Sequence, residues 1–250
     1  MAVDTEEHFP TNVRTEAEYG EWLHTFLVGE YGNESEAWAT DRVQRIGRRL
    51  NQVRRDCPVR GACPHDLQTE ILWIGAMNAF AVPGAYIYIT RELLQQADAD
   101  EPFAFVLAHE MAHHDLGHMR VLNGPLASLR HTSAFLLGAF LKGVARRLIS
   151  PENEAAADSY ALDLCVAAGF DGNRCLALFD IFEAYMVDHR DLDGVFGTDE
   201  SLTALPDDSD TSAQAWLRGA RGWVWHRVRG YPSLRERRAA LTAQFREYIG

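Results

Sequence analysis

The feature of this sequence that most constrains its fold is the pattern HExxH at residues 109–113, set in an apolar stretch that favours a helix. In an α-helix, residues four apart project from the same face, one turn apart. The imidazoles of His109 and His113 can therefore reach one zinc ion. Glu110, beside the first histidine, can then take a proton from a water at the metal. The alternative is a helix that merely carries two histidines near solvent.

The residues before this pattern predict where the helix begins. Asp100 is a suitable N-cap, and Pro102 fits the first turn of a helix. The stretch FAFVLAHEMAHHDLGH follows directly at 103–118. We therefore expect one long helix that starts near residue 100 and carries HExxH in its second half.

A catalytic zinc site keeps three protein ligands and leaves one position for water, so HExxH needs a third ligand. The extension that supplies a third histidine soon after the motif is absent, because Met119 stands at its position. After a further helix that is predicted to end near residue 148, another opens at Ser150, its N-cap, and carries Glu154 and Asp158 on one face. Glu154 is the candidate ligand, with Asp158 as partner of a ligand histidine. The alternative for Glu154 is an acid that complements the helix dipole.

His114 and His118 form a second pair with the same spacing. On a helix they point about 100° away from the first pair, so the two pairs cannot serve one metal ion. We interpret them as polar or hydrogen-bonded helix residues. The same interpretation holds for the isolated histidines at 8, 24, 65, 131 and 189.

Length and composition predict a single α+β domain that is predominantly helical. The chain has 250 residues and is 47% hydrophobic, which is enough for a sizeable core without disulfides. Its formal charge of −12 argues against nucleic-acid binding, since phosphate backbones demand a positive surface. Arginines and tryptophans do alternate at 216–229, but the charge of the whole chain outweighs that stretch.

The longest uncharged stretch, 71–89, reaches the length of a membrane span. Asn78, Pro83 and Gly84 interrupt it, and its flanks, ILWIGAM and AYIYIT, are rich in β-branched and aromatic residues. These signals predict a β-hairpin and no span. A shorter apolar run at 133–141 favours an amphipathic or core helix, which is compatible with peripheral membrane contact.

Four segments, in this order, resemble the HtpX-like and CAAX-prenyl-protease family of zinc metallopeptidases, the minigluzincins. They are NAFAVPG at 78–84 with YIYITRELL after it, LAHEMAHHDLGH at 107–118, the stretch from Glu154 to Asp158, and YPSLRER at 231–237. The resemblance covers about residues 67–241. It is specific, because order, spacing and flanking residues agree together.

The resemblance implies a zincin-like domain with a small sheet beside the active-site helix. It implies one Zn²⁺ per chain, held by His109, His113 and Glu154, with Glu110 as general base. Arg237 matches the family arginine that helps to order the site.

The resemblance also implies that the hairpin lies along the substrate cleft. The residues at this position are Asn78, Ala79, Phe80 and Ala81. An extended polypeptide would pair with the edge strand of the hairpin, which gives backbone affinity with little sequence demand.

One position departs from the family, whose histidine before proline is Tyr231 here. A tyrosine hydroxyl can donate to a developing oxyanion, so Tyr231 is a candidate catalytic residue, and a packing role is equally open. The main expectation is a soluble zinc endopeptidase acting on extended or unfolded polypeptides. The alternative is a catalytically weak or latent binding module, chaperone-like, in protein quality control.

The organisation that these signals predict is one metallopeptidase domain over 1–250. It has N-terminal helices in 1–56, a catalytic core in 67–241 and an acidic mobile loop at 188–210. No secretory signal is visible, which predicts the cytoplasm, or the periplasm or another extracytoplasmic space if an export segment has been removed. Cys57 and Cys63 would pair only in an oxidising compartment.

Overall fold

The computed structural model describes residues 16–33, 36–56, 67–74, 77–82, 84–118, 150–188 and 233–249. In chain order they form α1 (Glu16–Tyr31), α2 (Ala37–Asp56), β1 (Gln68–Leu72), β2 (Ala79–Val82), β3 (Tyr86–Thr90), α3 (Arg91–Gln96), α4 (Asp100–Asp115), α5 (Pro151–Ala167), α6 (Gly172–Cys175), α7 (Ala177–Asp188) and α8 (Leu234–Ile249). The predicted helical α+β class is confirmed. The predictions for Cys57 and Cys63, the apolar run at 133–141, the acidic loop beyond Asp188, and Tyr231 lie outside the described residues.

The three strands form one sheet in the order β1-β3-β2. β2 and β3 make a hairpin whose antiparallel register pairs Ala79 with Ile89, and Gly84 in the turn has a φ of 86°. The prediction that ILWIGAM forms the first strand of the hairpin is wrong. That segment contains the end of β1, which pairs in parallel with β3. A tight turn pairs first the residues next to it, so the strand that ends at Val82 takes the hairpin position.

The centre of the fold is α4, which packs against β2 and β3 on one side and against α2, α5, α6 and α7 on the others. It is buried continuously from Pro102 to His113, as expected for a helix that is apolar all round. The prediction that Asp100 is its N-cap is wrong. Ala99 occupies that position without a side-chain cap. Asp100 is the first helical residue, because its carboxylate pairs with Arg42 at 3.3 Å and Arg45 at 2.7 Å.

α5 begins where the sequence predicts. The hydroxyl of Ser150 accepts from the amide of Asn153 at 3.1 Å, and Pro151 is the first residue of α5. The chain after Asp171 forms two helices, α6 and α7, separated at Leu176. Among the helices in the described ranges, none is both long and apolar enough to cross a membrane.

Candidate active site

Three side chains that HExxH and α5 provide converge inside the protein. Nε2 of His109 lies 3.2 Å from Nε2 of His113. The two oxygens of Glu154 lie 3.4 Å from these nitrogens, Oε2 from His109 and Oε1 from His113. All three residues are buried, and one ligand atom from each lies within 4.8 Å of the others. They form a group that could hold a metal ion.

The spacing of these atoms fits a tetrahedral metal centre. Bonds of about 2.0–2.1 Å place neighbouring ligand atoms of a tetrahedron about 3.3–3.4 Å apart. The separation of 3.2 Å between the two histidine nitrogens matches that edge length, and each nitrogen has one oxygen of Glu154 at 3.4 Å, Oε2 for His109 and Oε1 for His113. Two imidazoles and one carboxylate are also the donor set of catalytic zinc sites with an open position for water. The group therefore fits a metal ion both in geometry and in chemistry.

The far side of the His109 ring contacts a buried ion pair. Nδ1 of His109 lies 2.9 Å from Oδ1 of Asp158, and Arg237 donates to both oxygens of Asp158 at 2.7 Å. Burial opposes ionisation of this carboxyl, but the neighbouring guanidinium holds the pKa of Asp158 below its ordinary value. Arg237 also lies 3.5 Å from Oε2 of Glu154. Asp158 therefore sits where it can fix the orientation of His109, and Arg237 where it can fix Asp158.

The far side of the His113 ring contacts His118, with the two Nδ1 atoms 2.9 Å apart. The expectation that His118 continues the helix four residues after His114 is wrong. α4 ends at Asp115, and Gly117 adopts a left-handed φ of 73° that turns the chain back. Burial lowers the pKa of His118 to about 4. The presence of a glycine just before His118 is the sequence signal that could have revealed this turn.

His114 has a different environment. Its Nε2 lies 3.3 Å from the carbonyl oxygen of Tyr86, and burial lowers its pKa to about 4. His24, on α1, stacks on the ring of Tyr86 and lies 3.0 Å from the hydroxyl of Tyr88. Both histidines match the hydrogen-bonded interpretation made from the sequence.

Glu110 lies at the edge of the sheet. Its Oε2 accepts from the backbone amide of Ala81 at 3.0 Å, and its side chain is buried. The amide of Thr90 donates to the carbonyl of Asn78 at 3.0 Å, so alternate residues of β2 direct their backbone groups toward β3. By that alternation, the backbone groups of Ala79 and Ala81 point away from β3, toward the edge that faces Glu110.

The four residues predicted to bind substrate thus occupy different positions. Asn78 and Ala79 line a cavity beside the metal-binding group, and Ala81 contacts Glu110. The ring of Phe80 stacks against Tyr88, with centroids 5.3 Å apart, on the sheet face opposite to the side chains of Ala79 and Ala81.

The cavity joins the polar group to an apolar region. His109, Glu110, Asp158 and Arg237 form its polar wall. Its apolar wall comes from α4, α7 and α8, and consists of Phe105, Val106, Leu178, Phe179, Phe182 and Leu234. A substrate at Glu110 would therefore have an apolar recess within reach.

A helix bearing HExxH, faced by a glutamate from a second helix and flanked by an edge strand, defines a zincin-like metallopeptidase fold. The chain matches the model of peptidase family M48 over residues 40–243 and belongs to that family. The resemblance seen in the sequence is thereby confirmed, and the chain is a member of a metal-dependent peptidase family. No curated protein matches the chain.

Proposed function

We propose that the protein is a zinc endopeptidase that hydrolyses peptide bonds in extended or unfolded polypeptides. The observation that carries this proposal is the convergence of His109, His113 and Glu154 with Glu110 beside the edge of β2. Family membership supports the peptidase activity. The donor set supports zinc, because two imidazoles with one carboxylate suit that ion.

The roles of the side chains follow from their positions. Zinc bound by the three ligands would supply Lewis acidity toward a carbonyl and a water molecule. Glu110 would accept a proton from the attacking water on its carboxylate and pass it to the leaving amine. Asp158 and Arg237 would keep His109 in its ligating orientation. An extended polypeptide added to β2 would bring its backbone to Glu110.

Zinc content tests the ligand set. We expect about one zinc per chain in the wild-type protein and a clear loss in Glu154→Ala, since a three-ligand site loses its anionic ligand. Glu152→Ala is the matched control, because Glu152 is an exposed acid in the first turn of the same helix. Metal analysis of protein purified without added metal provides the measurement. Equal zinc in both variants would contradict the role of Glu154.

Cleavage of an unfolded protein tests the activity. We expect the wild-type protein to cleave casein, to lose this activity on treatment with a chelator, and to regain it with added zinc. Gel electrophoresis of the products is sufficient for detection. Protein that binds zinc but leaves casein intact would contradict the proposed activity and favour the alternative, a latent binding module.

The apolar cavity predicts a preference at the cleavage site. Glu110, which would protonate the leaving amine, lines this cavity. The substrate residue that contributes this amine follows the scissile bond, so its side chain would lie nearest to the cavity. We expect kcat/KM to be at least about 10-fold higher for peptides with Phe or Leu after the scissile bond than for peptides with Ala. Each methylene buried in an apolar pocket strengthens transition-state binding. Mass spectrometry of a peptide mixture gives these ratios.

Two variants of α7 make the test of this preference specific. Phe182→Ala removes part of the apolar wall and should lower the preference several-fold. Val187→Ala changes an exposed residue of the same helix and should not alter it. A wild-type protein that cleaves equally well before charged residues would rule out this use of the cavity.

A further inference from the structure

Each ligand histidine of the site presents its second ring nitrogen to a different partner. Nδ1 of His109 faces the carboxylate of Asp158, whereas Nδ1 of His113 faces Nδ1 of His118. We infer that His118 is a positioning residue for the metal site. It accepts a hydrogen bond from His113 and thereby holds Nε2 of His113 toward Glu154. The inference rests on the proposed metal-binding role of this group.

The tautomers follow from the geometry. Nε2 of His113 is the atom that faces the ligand group, 3.2 Å from His109 and 3.4 Å from Glu154. A ligating nitrogen must offer its lone pair, so the proton of a neutral His113 resides on Nδ1. Nδ1–H then donates across the 2.9 Å separation to Nδ1 of His118. His118 must carry its own proton on Nε2, and both rings remain neutral.

A turn directly after α4 brings His118 to this place. In a continued helix, His118 would lie five residues after His113, about 140° around the helix axis. Instead the amide of Leu116 donates to Ala112 at 2.8 Å, and the amide of Gly117 donates to His114 at 3.0 Å. Gly117, in the left-handed conformation, then turns the chain. The ring centroids of His113 and His118 lie 5.0 Å apart as a result.

His114 is a natural control for this role. It is also half-buried at the end of α4, but its Nε2 lies near the backbone carbonyl of Tyr86 and not near a ligand. If His118 contributed only packing, replacing either histidine would affect the protein in the same way. If His118 positions His113, only its replacement should change metal binding.

Zinc affinity, measured by competition with a chromophoric chelator, tests the inference on the full chain. We expect His118→Ala to bind zinc about 10–100-fold more weakly than wild type, as is usual when a partner of a ligand histidine is lost. His114→Ala should stay within about threefold of wild type in affinity, whatever its effect on stability. Thermal unfolding of the metal-free proteins separates the two effects.

Two further variants keep the test valid if His118→Ala folds poorly. The carbonyl oxygen of Asn occupies nearly the same position as Nδ1 of His, so His118→Asn should retain most of the affinity. The oxygen of Gln lies one carbon farther out, so His118→Gln should behave like His118→Ala. The visible spectrum of the Co²⁺-substituted protein should change in the Gln variant and remain close to wild type in the Asn variant.

The outcomes separate this inference from the proposed function. Zinc affinity in His118→Ala and His118→Gln within twofold of wild type would overturn the inference and leave the zinc site intact. Equal losses in His114→Ala and in all three His118 variants would overturn it too, since they indicate packing alone. A wild-type protein that binds no zinc after reconstitution would overturn the proposed function and, with it, this inference.

Discussion

Replacing Glu110 by Gln is expected to lower kcat/KM for peptide hydrolysis by about 10³-fold while leaving zinc bound. The amide has nearly the shape of the carboxylate, and its oxygen can still accept from Ala81, which donates to Glu110 at 3.0 Å. The amide cannot accept the proton of the attacking water, and general-base catalysis contributes about 10²–10⁴-fold. Glu110 is not among the three residues that form the metal-binding group, so the metal should remain.

The measurement compares hydrolysis of a fluorogenic peptide with zinc content in the same preparations. Glu101→Gln is the matched control, because Glu101 lies in the first turn of the same helix and pairs with Arg174 at 2.9 Å, away from the site. Its kcat/KM should remain within about twofold of wild type. If Glu110→Gln kept more than a tenth of the activity with full zinc, another group would have to be the base.

Local spacing made the central part of this site predictable. His109 and His113 project from one face because helical geometry alone fixes residues four apart. Ser150 and Pro151 indicate the start of α5. With the start known, helical spacing places Glu154 and Asp158 on one face. Sequence spacing alone does not predict that α5 packs against α4. The order and flanking residues of the family segments supplied that expectation, and the distances in the structure agree with it.

Features that depend on competition between distant residues were not predictable. Asp100 looks like an N-cap from its neighbours, but two arginines of α2 bind its carboxylate. ILWIGAM looks like a hairpin strand, but the turn after Val82 makes β2 the antiparallel partner of β3, and the end of β1 pairs with β3 in parallel. His118 was assigned to a helix that ends before it. In each case a tertiary contact or a single backbone turn overrides the local pattern.

The largest effect on stability is expected at a buried ion pair between α2 and α4. Nη2 of Arg54 lies 2.5 Å from Oδ1 of Asp115, and the two side chains are only 1% and 0% exposed. The hydroxyl of Tyr160, on α5, donates to the other oxygen of Asp115 at 2.5 Å. Asn51 accepts from Arg54 and also bonds the backbone of Leu67. This cluster therefore ties α2, α4, α5 and the start of β1 together.

Removing one charge of this pair should destabilise the protein by about 3–5 kcal/mol, because the other charge is left buried without its counterion. We expect losses of that size in both Arg54→Met and Asp115→Asn. Asn at 115 can still accept from Tyr160, so its effect reports mainly on the charge. Urea unfolding of the metal-free protein, followed by circular dichroism, measures the free energy of unfolding.

The double variant, Arg54→Met with Asp115→Asn, separates the charge effect from packing. It removes both buried charges, so its loss of stability should be no larger than that of either single variant. Arg45→Met is the surface control, since the Arg45 side chain is 56% exposed and an exposed pair contributes at most about 1 kcal/mol.

If the losses of the two single variants simply added in the double variant, the pair would not be coupled. Asp115 is the last residue of α4, two positions beyond His113, so a coupled pair would fix the end of the helix that carries HExxH. α2 would then hold that end of α4 in place through an ion pair that is buried from solvent.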